Sequence, residues 1–221
     1  MKKLIIAISS AFMLLATSAF SMDLRPTVGI SGNIGVYAAT GIENNFNDAG
    51  SAIDETTKEH GAFAAEFGSV FVEMGLNDVV SIGLDYVPQA LETPRNTSND
   101  GGVNTNTVEA HFEDLTTLYA KINLPLGGAY LKAGFSQVDV IINENMESGN
   151  TYKDVDTEGM VAGIGYGHDL ANGISIRAEV TASNFDDVQS NNGVASGGNM
   201  NQVFVESMWG ARGTVSLVKS F

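Results

Sequence analysis

Acid–base or metal chemistry in this chain would rest on histidines, acids and hydroxyls, because its 221 residues include no cysteine. The three histidines, His60, His111 and His168, fall in or beside predicted loops in different parts of the chain. None of them stands in a motif with an acid and a nucleophile, and no zinc-binding spacing such as His-Glu-x-x-His occurs. We therefore expect no enzyme, no catalytic residue, no metal site and no cofactor.

One acidic segment resembles the opening of a calcium-binding loop. Asp154, Asp156 and Glu158 alternate along the chain and are followed by Gly159. The position of the closing glutamate is occupied by Gly165, so an acidic loop that leads into a strand is the plainer interpretation. Calcium binding by the acidic loops is kept as the alternative.

The charge balance limits the classes of partner. The chain carries 26 Asp and Glu against 11 Lys and Arg, a formal net charge of −15. A nucleic-acid surface needs clustered Lys and Arg that displace counterions from phosphates, so we expect no nucleic-acid partner. Hydrophobic residues make up 43% of the chain, which is too many for a disordered protein.

The N-terminus has the pattern of a secretory signal peptide, in which two lysines precede an apolar run and then several small residues. The apolar run is shorter than the roughly 17 residues that a membrane-spanning helix usually needs. We predict a protein exported from a bacterial-type cell. The predicted signal peptide occupies residues 1–21, with cleavage after Ala19 or Ser21, and a single domain occupies residues 22–221.

Beyond this segment, apolar residues alternate with small or polar ones along most of the chain. Such alternation is typical of strands with one apolar and one polar face, and it predicts eight of them. One strand, between Gly61 and Leu76, changes phase, since its apolar residues begin on odd positions and end on even ones. A β-bulge at Gly68 or Ser69 would restore the register.

The connections between the predicted strands alternate in length. Three are tight turns, and four are long and polar, at about residues 40–60, 88–107, 143–157 and 184–201. Short turns on the side of both termini and long loops on the other are typical of an outer-membrane barrel. The sequence therefore predicts an all-β fold, an eight-stranded antiparallel up-and-down transmembrane β-barrel.

The alternative fold is a soluble lipocalin-like barrel, which would place large apolar residues inside around a ligand. Here the polar face carries many glycines together with charges, and these fit a narrow lumen better than a water-exposed surface. The membrane barrel is therefore favoured.

In a membrane barrel, charged residues of the polar face lie in the lumen. Such residues persist in a low-dielectric interior only when they are paired. We therefore predict a network of salt bridges that plugs the lumen; the alternative is that some of these charges lie near strand ends in water. The candidate residues are Glu66, Glu73, Asp85, Lys121, Lys132, Arg177, Glu179, Glu206 and Arg212.

The last predicted strand ends in alternating apolar residues, Val215, Leu217 and the terminal Phe221. With the signal peptide, the eight strands and the loop pattern, this ending makes the chain similar to the small eight-stranded outer-membrane β-barrel superfamily of opacity-type proteins and the OmpA transmembrane domain. The resemblance implies a location in the bacterial outer membrane, contact with its lipid, and recognition of Phe221 by the barrel-assembly machinery. Lys219 departs from the strict terminal pattern, although a lysine near the interface can extend its amine to water.

The barrel type also guides the expected function. We expect a structural or surface-interaction role, in which an unknown extracellular partner contacts the long acidic loops. A small-solute porin is the first alternative, and it is less favoured because side chains can fill an eight-stranded interior. A lipid-modifying outer-membrane enzyme is the second alternative, because some members of the superfamily act on lipids.

Overall fold

The computed structural model describes residues 24–46, 52–98, 106–145, 151–192 and 201–221, so the predicted signal peptide lies outside the described residues. Among the described residues, no helix is long and apolar enough to cross a membrane. The strands are β1 (Arg25–Phe46), β2 (Ile53–Gly75), β3 (Val80–Tyr86), β4 (Leu91–Glu92), β5 (Asn96–Ser98), β6 (Asn106–Asn123), β7 (Ala129–Asn145), β8 (Val155–Asp169), β9 (Ile174–Phe185), β10 (Val188–Asn191) and β11 (Asn201–Ser220).

Eight of these strands form a closed ring in the order β1, β2, β3, β6, β7, β8, β9 and β11, and β11 pairs with β1. Every pairing in the ring is antiparallel. The short strands β4 and β5 pair with β6 beyond the end of β3, and β10 pairs with β11 beyond the end of β9. The predicted eight-stranded up-and-down barrel is confirmed.

The outer face of the ring is apolar, as lipid contact requires. Its large hydrophobic side chains are between 40% and 67% exposed, such as Ile30 at 60% and Val180 at 62%. Further members of this outer apolar band are Val28, Ile34, Val36, Val70, Val72, Leu118, Ile122, Leu131, Phe135, Met160, Ile164, Ile176, Val215 and Leu217. The barrel therefore presents a hydrophobic belt to the membrane.

The three predicted tight turns are present. In the first, Asn77 Oδ1 accepts hydrogen bonds from the backbone N–H groups of Val79 and Val80, both at 2.8 Å. In the second, Gly127 and Gly128 have φ values of 61° and 106°, which glycine adopts without steric penalty. These turns lie at the same end of the barrel as the start of β1 and the end of β11. In barrels of this kind that end faces the periplasm.

The connections on the opposite side are shorter than predicted, because the strands extend further. Strands β1 and β2 remain paired as far as Phe46 and Ile53, inside the range that the sequence assigned to a loop. Outside the membrane both faces of a strand contact water, so the residues need not alternate. A prediction that relies on alternation therefore ends such strands too early.

The bulge predicted at Gly68 or Ser69 is absent, because the pairing of β2 with β1 continues without a shift on both sides of these residues. The phase change in the sequence has another cause. From Phe63 to Glu73 the odd residues of β2 face the interior, and Phe63 and Phe67 are apolar because the interior itself is apolar at their level.

A bulge does occur in β11, at a position where none is predicted from the sequence. Ala38 pairs with Trp209 and Thr40 pairs with Glu206, so β11 contains one residue more than β1 between these pairs. Ser207 in this bulge has a φ of 54°. Because of the extra residue, the alternation between inward and outward side chains is reversed for the residues of β11 that precede the bulge.

Candidate functional site

Glu73 on β2 is the centre of a group of ion pairs inside the barrel, where it is 4% exposed. Its carboxylate accepts a hydrogen bond from Lys121 Nζ on β6, and two from the guanidinium of Arg177 on β9 at 2.9 and 3.3 Å. The hydroxyl of Tyr119 donates to the same carboxylate at 3.3 Å. These bonds join β2, β6 and β9 across the lumen.

Two further ion pairs lie beside this group. Lys132 on β7 pairs with Glu179 on β9 at 2.9 Å, and the Tyr130 hydroxyl donates to Glu179 at 3.2 Å. Arg212 on β11 pairs with Asp85 on β3 at 3.3 Å. Four cations thus meet three carboxylates, which satisfies the condition that charges in a low-dielectric interior be paired.

Neutral side chains extend the network toward β1 and β11. Ser69 donates to Asp85 at 2.9 Å, and Asn33 Nδ2 donates to Ser69 at 3.2 Å. Thr214 in turn donates to Asn33 Oδ1 at 2.8 Å. The polar groups of the lumen are therefore linked from one wall to the next.

We call the seven charged residues of this network the plug. Their side chains are at most 14% exposed. The space left among them is about 20 Å³, which is room for roughly one water molecule. The plug residues are Glu73, Asp85, Lys121, Lys132, Arg177, Glu179 and Arg212, and at their level the lumen is filled.

Glycines in the barrel wall make room for the two tyrosines of the plug region. A Cβ on Gly83 would lie 2.4 Å from the Tyr119 ring, and one on Gly165 would lie 2.2 Å from the Tyr130 ring. The bare backbone lets both rings lie against the wall. Lys132 Nζ then stands 4.1 Å from the centroid of the Tyr119 ring, which adds a cation–π contact.

On the extracellular side of the plug is a second feature, a cavity of about 480 Å³ that we call the upper cavity. Three of its rings stack in series, with centroids 5.4 Å apart for Tyr37 and Phe63 and 5.7 Å apart for Phe63 and Phe112. Leu115, Val138 and Phe185 also line it. Sequence reasoning missed this cavity, although the phase change in β2 was its signal.

A family model for the outer membrane protein β-barrel domain matches residues 7–202. The chain belongs to this family. The match confirms the predicted family and the predicted location in the bacterial outer membrane. A comparison with curated protein sequences found no match.

Several solved structures of outer-membrane proteins resemble the barrel. OprG from Pseudomonas aeruginosa has a TM-score of 0.57 at 14% identity, over 88% of this chain and 95% of that chain. The outer membrane protease OmpT from Escherichia coli has a TM-score of 0.47 at 10% identity, over 93% and 99% of the two chains. Ail of Yersinia pestis has a TM-score of 0.38 at 10% identity, over 84% and 98%. The likeness to OprG supports the family's barrel fold.

Seven of the nine charged residues that the sequence places in the lumen form the plug, but Glu66 and Glu206 lie elsewhere. Glu66 is exposed and lies opposite Ile34 on the outer face, because β2 has no bulge to turn it inward. Glu206 lies opposite Thr40 on the outer face, because the bulge in β11 reverses its side. The first error comes from a bulge that was predicted and is absent, and the second from a bulge that was not predicted. The alternation of residues in a single sequence does not locate bulges.

The three histidines lie on three different strands. His60 shares a hydrogen bond of 2.9 Å with Thr40, and His111 Nε2 lies 3.5 Å from a Glu109 oxygen. His168 is exposed near the periplasmic end of β8. The structure does not bring these histidines together.

The acidic segment before Gly159 forms the start of β8. Asp154 Oδ1 accepts a hydrogen bond from the backbone N–H of Ile142 at 3.0 Å, and Asp156 lies opposite Asp139 on β7. Within the ranges that the structure describes, no group of three or more His, Asp or Glu residues is arranged to hold a metal ion. The acidic segment leads into β8, which begins at Val155.

Phe221 lies at the periplasmic rim and is 72% exposed. Its backbone N–H donates to the carbonyl oxygen of Pro26 at 3.0 Å, and Lys219 Nζ lies 5.4 Å from the centroid of its ring. Lys219 also donates to the carbonyl oxygen of Asn172 at 2.5 Å, so its amine points to the turn before β9. The terminal ring is left free to contact lipid or another protein.

Proposed function

We propose that this protein is a closed, non-enzymatic outer-membrane barrel with a structural or surface-interaction role. The observation that carries the proposal is the plug, whose remaining space is about 20 Å³. A solute that crosses the lumen would have to separate buried ion pairs, and removal of one partner of such a pair costs about 3–5 kcal/mol. A small-solute porin is correspondingly disfavoured.

The surface part of the proposal rests on strands that continue beyond the membrane. Between β1 and β2, the Thr56 hydroxyl donates to Asn44 at 2.8 Å. Near β5, Arg95 donates two hydrogen bonds to Glu109 at 3.0 and 3.2 Å, and these bonds hold the pKa of Glu109 below its usual value. Ordered polar strands of this kind offer a fixed acidic surface to an extracellular partner.

Electrical recording in planar lipid bilayers tests whether the barrel is closed. The unaltered protein should give little or no steady current. A double substitution, Glu73→Ala with Arg177→Ala, removes both members of the central pair and should raise the current if the barrel folds. A large and stable conductance from the unaltered protein would contradict the proposal and favour the porin.

A further inference from the structure

We propose that the upper cavity is a binding site for a neutral, largely apolar small molecule that carries an aromatic ring or a hydrocarbon chain. This inference goes beyond the closed-barrel role and does not depend on it, since a ligand can occupy the cavity without passing the plug. It rests on the volume, the lining and the charge of the cavity.

The volume of about 480 Å³ falls in the range of ligand pockets, which run from roughly 300 to 1,000 Å³. An apolar cavity of about 150 Å³ already binds benzene in a protein interior. The interior of a membrane barrel is ordinarily polar. Here Phe67, Leu115 and Val138 form a buried apolar layer at the bottom of the cavity, which separates it from the plug.

The aromatic wall favours a flat or extended ligand. The rings of Tyr37, Phe63 and Phe112 are nearly parallel, at interplanar angles of 28° and 11°. Ring faces and edges presented in this way favour stacked contacts with a further aromatic group, beyond the area that is buried. A hydrocarbon chain would use the same wall through dispersion contacts.

The charge around the cavity indicates a neutral ligand. Its polar lining consists mainly of hydroxyls, such as those of Thr93 and Thr157, the imidazole of His60 and the exposed carboxylate of Glu59. The plug cations Lys121 and Arg177 do not line it. An anionic ligand would therefore meet the carboxylate of Glu59 with no lysine or arginine in the lining to compensate it.

The experiment uses Trp209, which lines the cavity and is the only tryptophan in the sequence. Energy transfer from Trp209 to N-phenyl-1-naphthylamine, a neutral apolar fluorophore, is titrated with the folded protein in zwitterionic lipid nanodiscs. We expect a saturable component with one site per barrel. Because the fluorophore also enters lipid and Trp209 is 58% exposed, the folded cavity-filling variants described below supply the background of transfer to fluorophore in the lipid.

Two alanines on β6 supply matched variants. Ala110 lines the cavity, and Ala120 is exposed on the outer face and does not line it. Ala110→Phe fills the cavity and should weaken fluorophore binding by about tenfold or more, whereas Ala120→Phe should change it by less than about twofold. Circular dichroism checks the fold. If Ala110→Phe does not fold, Ala39→Leu fills the cavity from β1.

Competition distinguishes the charge class of the ligand. Dodecanol should displace the fluorophore at a concentration at least about tenfold lower than dodecanoate. Equal displacement by the two would overturn the assignment to a neutral ligand. Binding that does not saturate, or that survives a folded cavity-filling variant, would overturn the site itself, and neither result bears on the bilayer current.

Discussion

Arg177 on β9 donates two hydrogen bonds, at 2.9 and 3.3 Å, to the carboxylate of Glu73 on β2, 104 positions away in the sequence. In the ring, β1 and β11 lie between these two strands, so the pair spans the lumen. A bidentate guanidinium–carboxylate pair fixes geometry as well as contributing energy. This pair therefore ties two walls of the barrel together and closes the space between them.

The first prediction compares two glutamates of the same strand. Glu73→Ala leaves Lys121 and Arg177 in the lumen without their carboxylate and should lower the free energy of unfolding by about 3–5 kcal/mol. Glu66→Ala changes an exposed outer residue and should alter it by no more than about 0.5 kcal/mol. Urea unfolding in lipid nanodiscs measures both. Equal effects would contradict the inner and outer placement of these residues.

The comparison also illustrates what alternation in the sequence can predict. Alternation predicts that Glu73 faces the lumen, as it does in the structure, because the apolar residues on either side of it face lipid and fix the register. Alternation predicts the wrong side for Glu66, because the neighbouring Phe63 and Phe67 pack inside an apolar upper lumen. Period-two reasoning assigns apolar residues to lipid, and it fails where the interior is apolar too.

Pair identities within the plug could not be predicted for a different reason. Alternation places Lys121, Lys132 and Glu179 on the inner face, but partners across the lumen depend on strand tilt and ring closure. Lys121 and Lys132 are opposite each other in the β6–β7 ladder, yet they bind different carboxylates. Only the closed ring decides which anion each cation reaches.

The second prediction concerns the glycines that support the plug. Gly83→Ala places a Cβ about 2.4 Å from the Tyr119 ring, which is buried and hydrogen-bonded to Glu73. The ring has to move, so we expect a loss of about 1–3 kcal/mol in unfolding free energy. Gly32→Ala is the control, because nothing lies within 4 Å of its added Cβ. A stable Gly83→Ala variant would show that the ring has room to shift.

The third prediction concerns assembly. It distinguishes the effect of Phe221 on insertion in cells from its effect on the stability of the folded barrel. Phe221 lies outside β11 and is 72% exposed, so its deletion should alter the unfolding of the purified, refolded barrel only slightly. In cells the truncated chain should be exported and poorly inserted, while Phe221→Tyr should insert normally. Normal outer-membrane levels of the truncated chain would show that Phe221 is not the assembly signal.

The fourth prediction concerns the extension of β1 and β2 beyond the membrane. Residues 43–57 are replaced by Asn-Gly, a pair that suits a tight hairpin turn, so that the ladder ends at the pair of Ile42 and Lys58. The barrel should still fold, because the outer apolar band and the plug are unchanged. Attachment of whole cells to an extracellular partner or surface should be lost, with outer-membrane levels measured by immunoblot.

The last prediction tests the same surface role against enzymatic chemistry. His60, His111 and His168 lie on three strands, and a general base needs a nucleophile within hydrogen-bond reach, about 2.6–3.2 Å. His60 has a hydroxyl at 2.9 Å, that of Thr40, but His60 is exposed, and among the described residues no carboxylate is hydrogen-bonded to its ring to orient it. A variant with alanine at all three positions should therefore keep the attachment that the shortened hairpin loses. The two variants are compared at equal outer-membrane level. If attachment were lost in the triple-alanine variant and kept in the shortened one, the surface role would be contradicted. Chemistry at a histidine would then be favoured.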